Sequence, residues 1–227
     1  MVAWPKPRPQ LTSEQRAIYE DWNKQFSGFV LGEKYERVNR FGHEFAATSF
    51  APGLRTLEIG AGSGTHLSYE TEGEYAAVER SAEVAALIPQ RDGLNVLVAD
   101  CEQPLPYEDS SFDRVLAIHL LEHLYDLPGA LSEVRRLLRR GGLFSVVIPC
   151  EGGIGHSLGR RFSSKRLFEE RYDVPYEWLI RYDHCNSARE VITELRKMFS
   201  IKRREFFPMR LPLVDVNLII GLELTRD

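Results

Sequence analysis

LEIGAGSGTHL (57–67) is the stretch that decides the fold. A short apolar run ends in Gly60, Gly62 and Gly64, and a segment of helical character follows, so it reads as strand, tight loop, helix. Glycines at such a turn let a ligand approach the backbone, and a helix N-terminus behind them favours a negative group. The same grammar repeats on either side. LRTLEI (54–59), YAAVER (75–80), NVLVAD (95–100), FDRVLAIH (112–119) and LFSVVIP (143–149) read as buried strands. THLSYE, SAEVAALI and a stripe of Ala130, Leu131, Val134, Leu137 and Leu138 read as helices, the last closed by Gly141-Gly142 as a C-cap. Strands separated by helical crossovers predict an α/β fold with a parallel sheet covered on both faces.

The flanks follow other rules. Three prolines in residues 1–10 predict an irregular arm. Thr12 and Gln15 form a capping-box pair before Ile18, Trp22 and Phe26, and Gly28 and Gly32 break that helix. A second helix carries Leu31, Tyr35, Val38 and Phe45 on one face. The expected division is an arm and helical cap over 1–52 and a main domain over 53–227. Within it, residues 151–186 show no steady period and read as a substrate-side insertion. Ser187 and Glu190 open a helix through Met198, and FSIKRREFF and VDVNLIIGLEL predict an antiparallel strand pair.

Composition removes several classes of function. The 227 residues carry 29 Lys+Arg and 33 Asp+Glu, a net charge of −4, which argues against nucleic-acid binding through bulk charge. LIIGLEL is too short to span a bilayer, and MVAWPKPRPQ lacks the apolar core of a secretory signal. Cys101, Cys150 and Cys185 are odd in number and without CxxC spacing, so they read as reduced thiols of a cytoplasmic protein. Peripheral membrane contact is not excluded.

Two acidic residues strengthen the glycine loop. Glu79 ends the second strand 19 positions after Gly60 (79 − 60), where a carboxylate can accept ribose hydroxyls, and Asp100 ends the third. The spacing G-x-G-x-G, with Thr65 where a third dinucleotide glycine belongs, makes NAD the weaker ligand. HLLEH (119–123) matches an inverted zinc-peptidase motif, but His119 falls at a strand end, so no metal is expected.

LEIGAGSGTHL, AAVERS, VADCEQPLPYEDSSFDRVLAIHLLEHLYD and LLRRGGLFSVVIP together resemble the class I S-adenosylmethionine (SAM)-dependent methyltransferases. The subgroup they resemble most is the type 11, ubiquinone-biosynthesis-like domain, over residues 54–150. The resemblance implies a Rossmann-like, seven-stranded, mostly parallel sheet with helices on both faces, its last strand inserted antiparallel between neighbours. It implies SAM as cofactor and S-adenosylhomocysteine as product. Glu58, Gly60, Ala61, Gly62 and Gly64 would hold the methionine part, Glu79 the ribose, and Asp100 with the Cys101 backbone the adenine. Arg80 and His119 complete the expected cofactor set, and Cys101 stands where alanine is commoner in the family.

Methyl transfer is an in-line displacement, and a hydroxyl acceptor also needs a base. His184 is the first candidate, with His119 and His43 behind it. Arg160, Arg161, Lys165 and Arg166 beside Tyr172, Tyr176, Trp178 and Tyr182 suit an anionic, phosphorylated or sugar-bearing acceptor. The insertion and FFPMRLPLVDVNLIIG are faintly similar to methyltransferases of surface-glycan assembly. The expected function is therefore SAM-dependent methylation of a small or glycan-linked acceptor. The alternatives are a quinone- or lipid-type acceptor, a non-catalytic SAM-binding module, and an NAD-dependent oxidoreductase.

Overall fold

A computed structural model describes residues 2–26, 32–70, 72–161 and 164–227 of the chain. Gly28 and Leu31, and the side chain of Tyr35, lie outside the described part. Seven strands form one sheet: β1 (Thr56–Ile59), β2 (Tyr75–Glu79), β3 (Leu94–Val98), β4 (Phe112–Ile118), β5 (Leu138–Pro149), β6 (Ser200–Phe207) and β7 (Ile219–Thr225). Their spatial order is β3-β2-β1-β4-β5-β7-β6. β1 to β5 run parallel, whereas β7 lies antiparallel to both β5 and β6. The order reverses between β1 and β4, so the crevice at their C-terminal ends is the place where such a sheet binds ligands.

The apolar residues of the strands end up inside: Leu57, Val115, Leu116, Phe144 and Leu222 are fully buried. The first two helices divide their attachments. α2 (Gly32–Ala47) packs Phe45 and Ala46 into a core cluster with Leu116, Val147 and Ile219. Gly221 admits this contact, since a Cβ there would lie 2.5 Å from the Phe45 ring. α1 (Ser13–Phe26) packs instead on residues 164–180, with Trp22 edge-on to Phe168 at 5.2 Å. The capping box expected at its start is present in both directions, at 3.1 Å each.

A buried ion pair ties α2 to the sheet. Arg114 of β4 donates to both oxygens of Glu70, at 2.7 and 2.6 Å, and to the Ala46 carbonyl and Ser49. Each charge is thus paired and hydrogen-bonded, the condition under which burial is tolerated.

Three local expectations are corrected. THLSYE forms only a 3-10 turn, Thr65–Ser68, and SAEVAALI only the single turn α3 (Ala82–Ala85). α4 (Leu127–Leu137) ends before the glycines, and Gly141-Gly142 lie inside β5 rather than capping the helix. Gly141, at φ +72°, donates to the Arg226 carbonyl, and a Cβ on Gly142 would sit 2.9 Å from the Asp113 carbonyl. These glycines therefore serve the irregular start of a strand.

Residues 150–186 contain three helices, α5 (Ile154–Arg161), α6 (Ser164–Tyr172) and α7 (Glu177–Asp183). Their helicity is supported by Arg166–Glu170 pairing at four-residue spacing and by the aromatic cluster around Phe168. α8 (Ala188–Met198) opens on the expected Ser187/Glu190 capping box. Among the described residues no helix is long and apolar enough to cross a membrane.

Candidate active site

The cofactor end is built from consecutive strand ends. Gly60, Gly62 and Gly64 all have positive φ (67°, 55° and 80°), which side chains other than hydrogen disfavour. A Cβ on Gly60 would meet Leu120 at 2.6 Å, so the loop and the turn after β4 touch across the crevice. Gly62 faces open space, with nothing within 4 Å of where its Cβ would be. Beside it, Glu79 accepts the Gly62 N–H at 3.0 Å and the Ser81 N–H at 2.8 Å, tying the loop to β2. Asp100 accepts the Glu102 N–H at 3.0 Å in the turn after β3. Cys101 is buried, and desolvation with the charges of Asp100 and Glu102 pushes its thiol up to about 12. An inert thiol suits a position that offers only backbone. Arg80 is exposed at the rim.

Glu58 sits beneath the loop, buried, with the Tyr75 hydroxyl donating to it at 2.8 Å. Burial lifts its carboxyl to about 7, against the pull of His66 and Tyr75. The cradle could hold a nucleoside-bearing sulfonium: an open glycine face, the Glu79 carboxylate and the turn carrying Asp100 follow three adjacent strands.

The other side of the crevice is a row of histidines on carboxylates. His119 follows β4 in the left-handed region (φ 52°), and its N–H donates to the Val147 carbonyl at 2.8 Å. Its Nδ1 lies 3.8 Å from Glu122, which is buried with Oε2 lacking a hydrogen-bond partner. His123 donates from Nδ1 to the Asp183 carbonyl at 2.7 Å, and the Asp183 carboxylate lies 3.5 Å from it. Burial disfavours the His123 imidazolium, but Asp183 and Glu122 lift it to about 9. His123 is consequently protonated at neutral pH. Asp183 also accepts the Tyr19 hydroxyl from α1 at 3.0 Å.

His184 stands edge-on to His123, with ring centres 4.7 Å apart. Its Nδ1 donates to Glu151 at 3.2 Å. Arg160 pairs with the other Glu151 oxygen, and His156 lies 3.5 Å away. Burial would raise the Glu151 carboxyl, but His184, His156 and Arg160 hold it at about 2.

His43, on α2, adjoins the His119 end of this row, where a Cβ on the preceding Gly42 would lie 3.6 Å from His119 Nε2. His43 is buried, stacked on His66 and Tyr69, and joined to His66 at 3.1 Å. Desolvation and the neighbouring His66 and His119 lower it to about 3, so it stays neutral.

His123, Asp183 and His184 bring donor atoms within 4.8 Å of one another. Both histidines, however, already use Nδ1 on protein acceptors, and the cluster is charge-paired without a cation. HLLEH lies across a strand end and a 3-10 turn, Leu121–His123, so its histidines do not share a helix face as a zinc motif requires.

The four expected cations line an open cleft of about 870 Å³ between α5, α6 and α7, together with Ser157, Tyr176 and Arg181. Arg160, Lys165 and Arg166 are paired there with Glu151, Glu177 and Glu170. Tyr182 packs edge-on to Tyr19 at 5.0 Å, and its carbonyl accepts the Tyr125 hydroxyl. Glu151, Asp183 and Tyr19 were not singled out from sequence. Glu151 had a signal: it lies two positions beyond Pro149, at the C-terminal end of a sheet strand.

The strand order, the glycine cradle and the acidic strand ends define a Rossmann-like fold of the class I SAM-dependent methyltransferases. Residues 57–146 match the family described as a methyltransferase domain. It is 32% identical over 145 residues to a sterol 24-C-methyltransferase of Gibberella zeae, covering 57% of this chain and 38% of that protein. It is 35% identical over 133 residues to a fatty-acid O-methyltransferase of Mycolicibacterium smegmatis, covering 52% and 46%. The chain thus spans less than half the length of these relatives. A crystal structure of a SAM-dependent methyltransferase from Thermotoga maritima superposes with a TM-score of 0.62 at 23% identity, over 93% of this chain and 99% of that one. That likeness is one of fold.

Proposed function

We propose that the chain transfers the methyl group of SAM to an oxygen of a small lipid-type acceptor, with His184 as the base. The observation that carries this reading is the His184–Glu151 pair, joined through His123 and Glu122 to the turn that touches the glycine loop. SAM supplies an electrophilic methyl on a positive sulfur, ready for in-line displacement. The chain's part is to bind, align and take a proton. Gly60 to Gly64 and Glu79 fix the cofactor. Glu151 occupies His184 Nδ1–H, which leaves Nε2, 3.8 Å from the Asp183 carboxylate, as the lone pair for an acceptor hydroxyl, and the imidazolium formed is stabilised by both carboxylates. His123 already carries its proton and acts as a fixed positive charge.

A lipid-type acceptor, second choice from sequence, moves ahead of a glycan because sterol and fatty-acid enzymes stand among the relatives. The cationic cleft then meets a polar or anionic end of the acceptor, with Arg161 and Arg181 as its cations outside the ion pairs above. The test is transfer of labelled methyl from SAM to fatty acids, sterols, lipid-linked glycans and quinone precursors. Transfer to a lipid oxygen supports the reading. Transfer only to a glycan or quinone precursor overturns the acceptor class. SAM binding with no transfer to any of them leaves a binding module.

A further inference from the structure

The surface beside this cleft holds large apolar side chains in water. On α5, Ile154 and Leu158 are 70% and 51% exposed, at four-residue spacing and hence on one face. The β6–β7 connection adds Met209, Leu211, Leu213 and Val216, at 57%, 48%, 53% and 40%.

The two groups are one surface. A Cβ on Gly155 would touch the Val216 backbone at 3.0 Å, and one on Gly159 would touch Leu218 at 3.2 Å. Ile154 and Leu158 are the residues next to those glycines, so they flank the seam where α5 meets the loop. Isolated exposed apolar residues need no explanation, but six on two packed elements do.

The charges around them have one sign in excess. Arg160 and Arg189 are neutralised by Glu151 and Asp215. Arg161, at the end of α5, and Arg210, at the loop tip, are exposed and enter no ion pair among the described residues. A two-fold contact between copies would press this surplus against itself. An anionic lipid surface complements it, the apolar side chains entering the acyl boundary and the arginines the headgroups.

We infer that α5 and the β6–β7 connection form a docking surface for an anionic lipid bilayer. The patch follows directly on Glu151, so a docked chain presents its histidine row close to the interface. Docking does not depend on the proposed methyl transfer, and a failure of either leaves the other standing.

The experiment is vesicle co-sedimentation of the whole chain, on phosphatidylcholine alone and on phosphatidylcholine mixed with phosphatidylglycerol. The expected result is partition onto the mixed vesicles, about 30-fold weaker on the neutral ones given the surplus of two arginines. Ile154→Ser with Leu158→Ser should weaken it at least about 10-fold, as should Leu211→Ser with Leu213→Ser. Arg210→Gln should lower it several-fold on mixed vesicles only. All these side chains are exposed, and unchanged circular dichroism and melting temperature confirm the variants as folded. Equal partition on both vesicles, no partition, or variants that bind like the parent overturn the inference. So does a dimer in sedimentation that the same serine variants dissolve, which would make the patch an interface between copies.

Discussion

The two sides of the crevice are built in opposite ways. The cofactor side consists of short consecutive pieces, Gly60–Gly64, Glu79 and Asp100, whose key bonds are to the adjacent strand end or within a single turn. The proposed acceptor side draws His119, Asp183 with His184, Glu151 and Tyr19 from four distant segments. Backbone shape dominates the first, and paired side-chain charge the second. Positive φ at Gly60, Gly62 and Gly64 disfavours side chains in the glycine cradle, whereas the histidine row depends on its paired carboxylates.

The largest expected effect lies on the acceptor side. His184→Ala should lower kcat by ~10²–10⁴-fold while SAM affinity, read by calorimetry, stays unchanged. Glu151→Gln should give a smaller loss in kcat and move the pH profile, because it leaves the imidazole without its buttress. Loss of SAM affinity in either variant would erase the distinction between the two sides.

On the cofactor side, Glu79→Ala should weaken SAM binding by about 1.5–3 kcal/mol, roughly 10- to 150-fold. Part of that loss is the released Gly62 N–H, so Glu79→Gln, which keeps an acceptor oxygen, should recover some of it. Unchanged affinity in the folded Ala variant would break the ribose assignment.

Stability against pH separates the sides next. Glu58 is raised from 4.5 to about 7 in the folded chain, so folding takes up a proton between those values. Stability should therefore fall, on the order of 1–3 kcal/mol, as pH rises from 4.5 to 7, and Glu58→Gln should flatten that slope. His123 is raised from 6.5 to about 9. Its contribution is complete below pH 6.5 and lost as pH climbs through 9, and Asp183→Asn should reduce it, leaving the part due to Glu122. Melting temperatures across both windows check the signs.

The smallest effect belongs to the cleft. Arg161→Glu should raise acceptor KM several-fold and reduce its salt dependence, while Arg166→Glu, at an exposed pair with Glu170, should cost ~0–1 kcal/mol of stability and little else. Equal responses would reduce the cleft to a solvated face. Reversing Arg160 is the poorer test, because Arg160 also anchors Glu151.

The contrast also explains what could be read in advance. The parallel strands and the antiparallel terminal pair were visible because apolar runs and glycine turns are local signals, whereas the insertion of β7 between its neighbours came only with the family resemblance. Glu79 and Asp100 were visible because each ends a strand at a regular interval. Asp183 and Tyr19 were not: they lie 164 residues apart, and only the docking of α1 on α7 brings them together. The three helices of 150–186 escaped because Phe168, Tyr176 and Leu179 face Trp22 of α1 rather than the sheet, so no strand period announces their buried side. Gly141-Gly142 misled because a glycine pair after an apolar stripe is the ordinary sign of a helix end.

The antiparallel insertion of β7 has a consequence for biosynthesis. β5 is completed at Pro149, but its outer neighbour begins only at Ile219, with β6 and the helices α5 to α8 made in between. While the chain leaves the ribosome, β5 therefore presents a bare edge flanked by Phe144, Val146 and Ile148, all fully buried once folding ends. β6 emerges first and must leave room for a strand not yet translated. Pairing it directly with β5 would trap the nascent chain one strand short. Unpaired edges of this kind invite pairing with other chains. Slow translation, or a stop before Ile219, should thus yield aggregates or chaperone-bound chains rather than a slightly smaller protein.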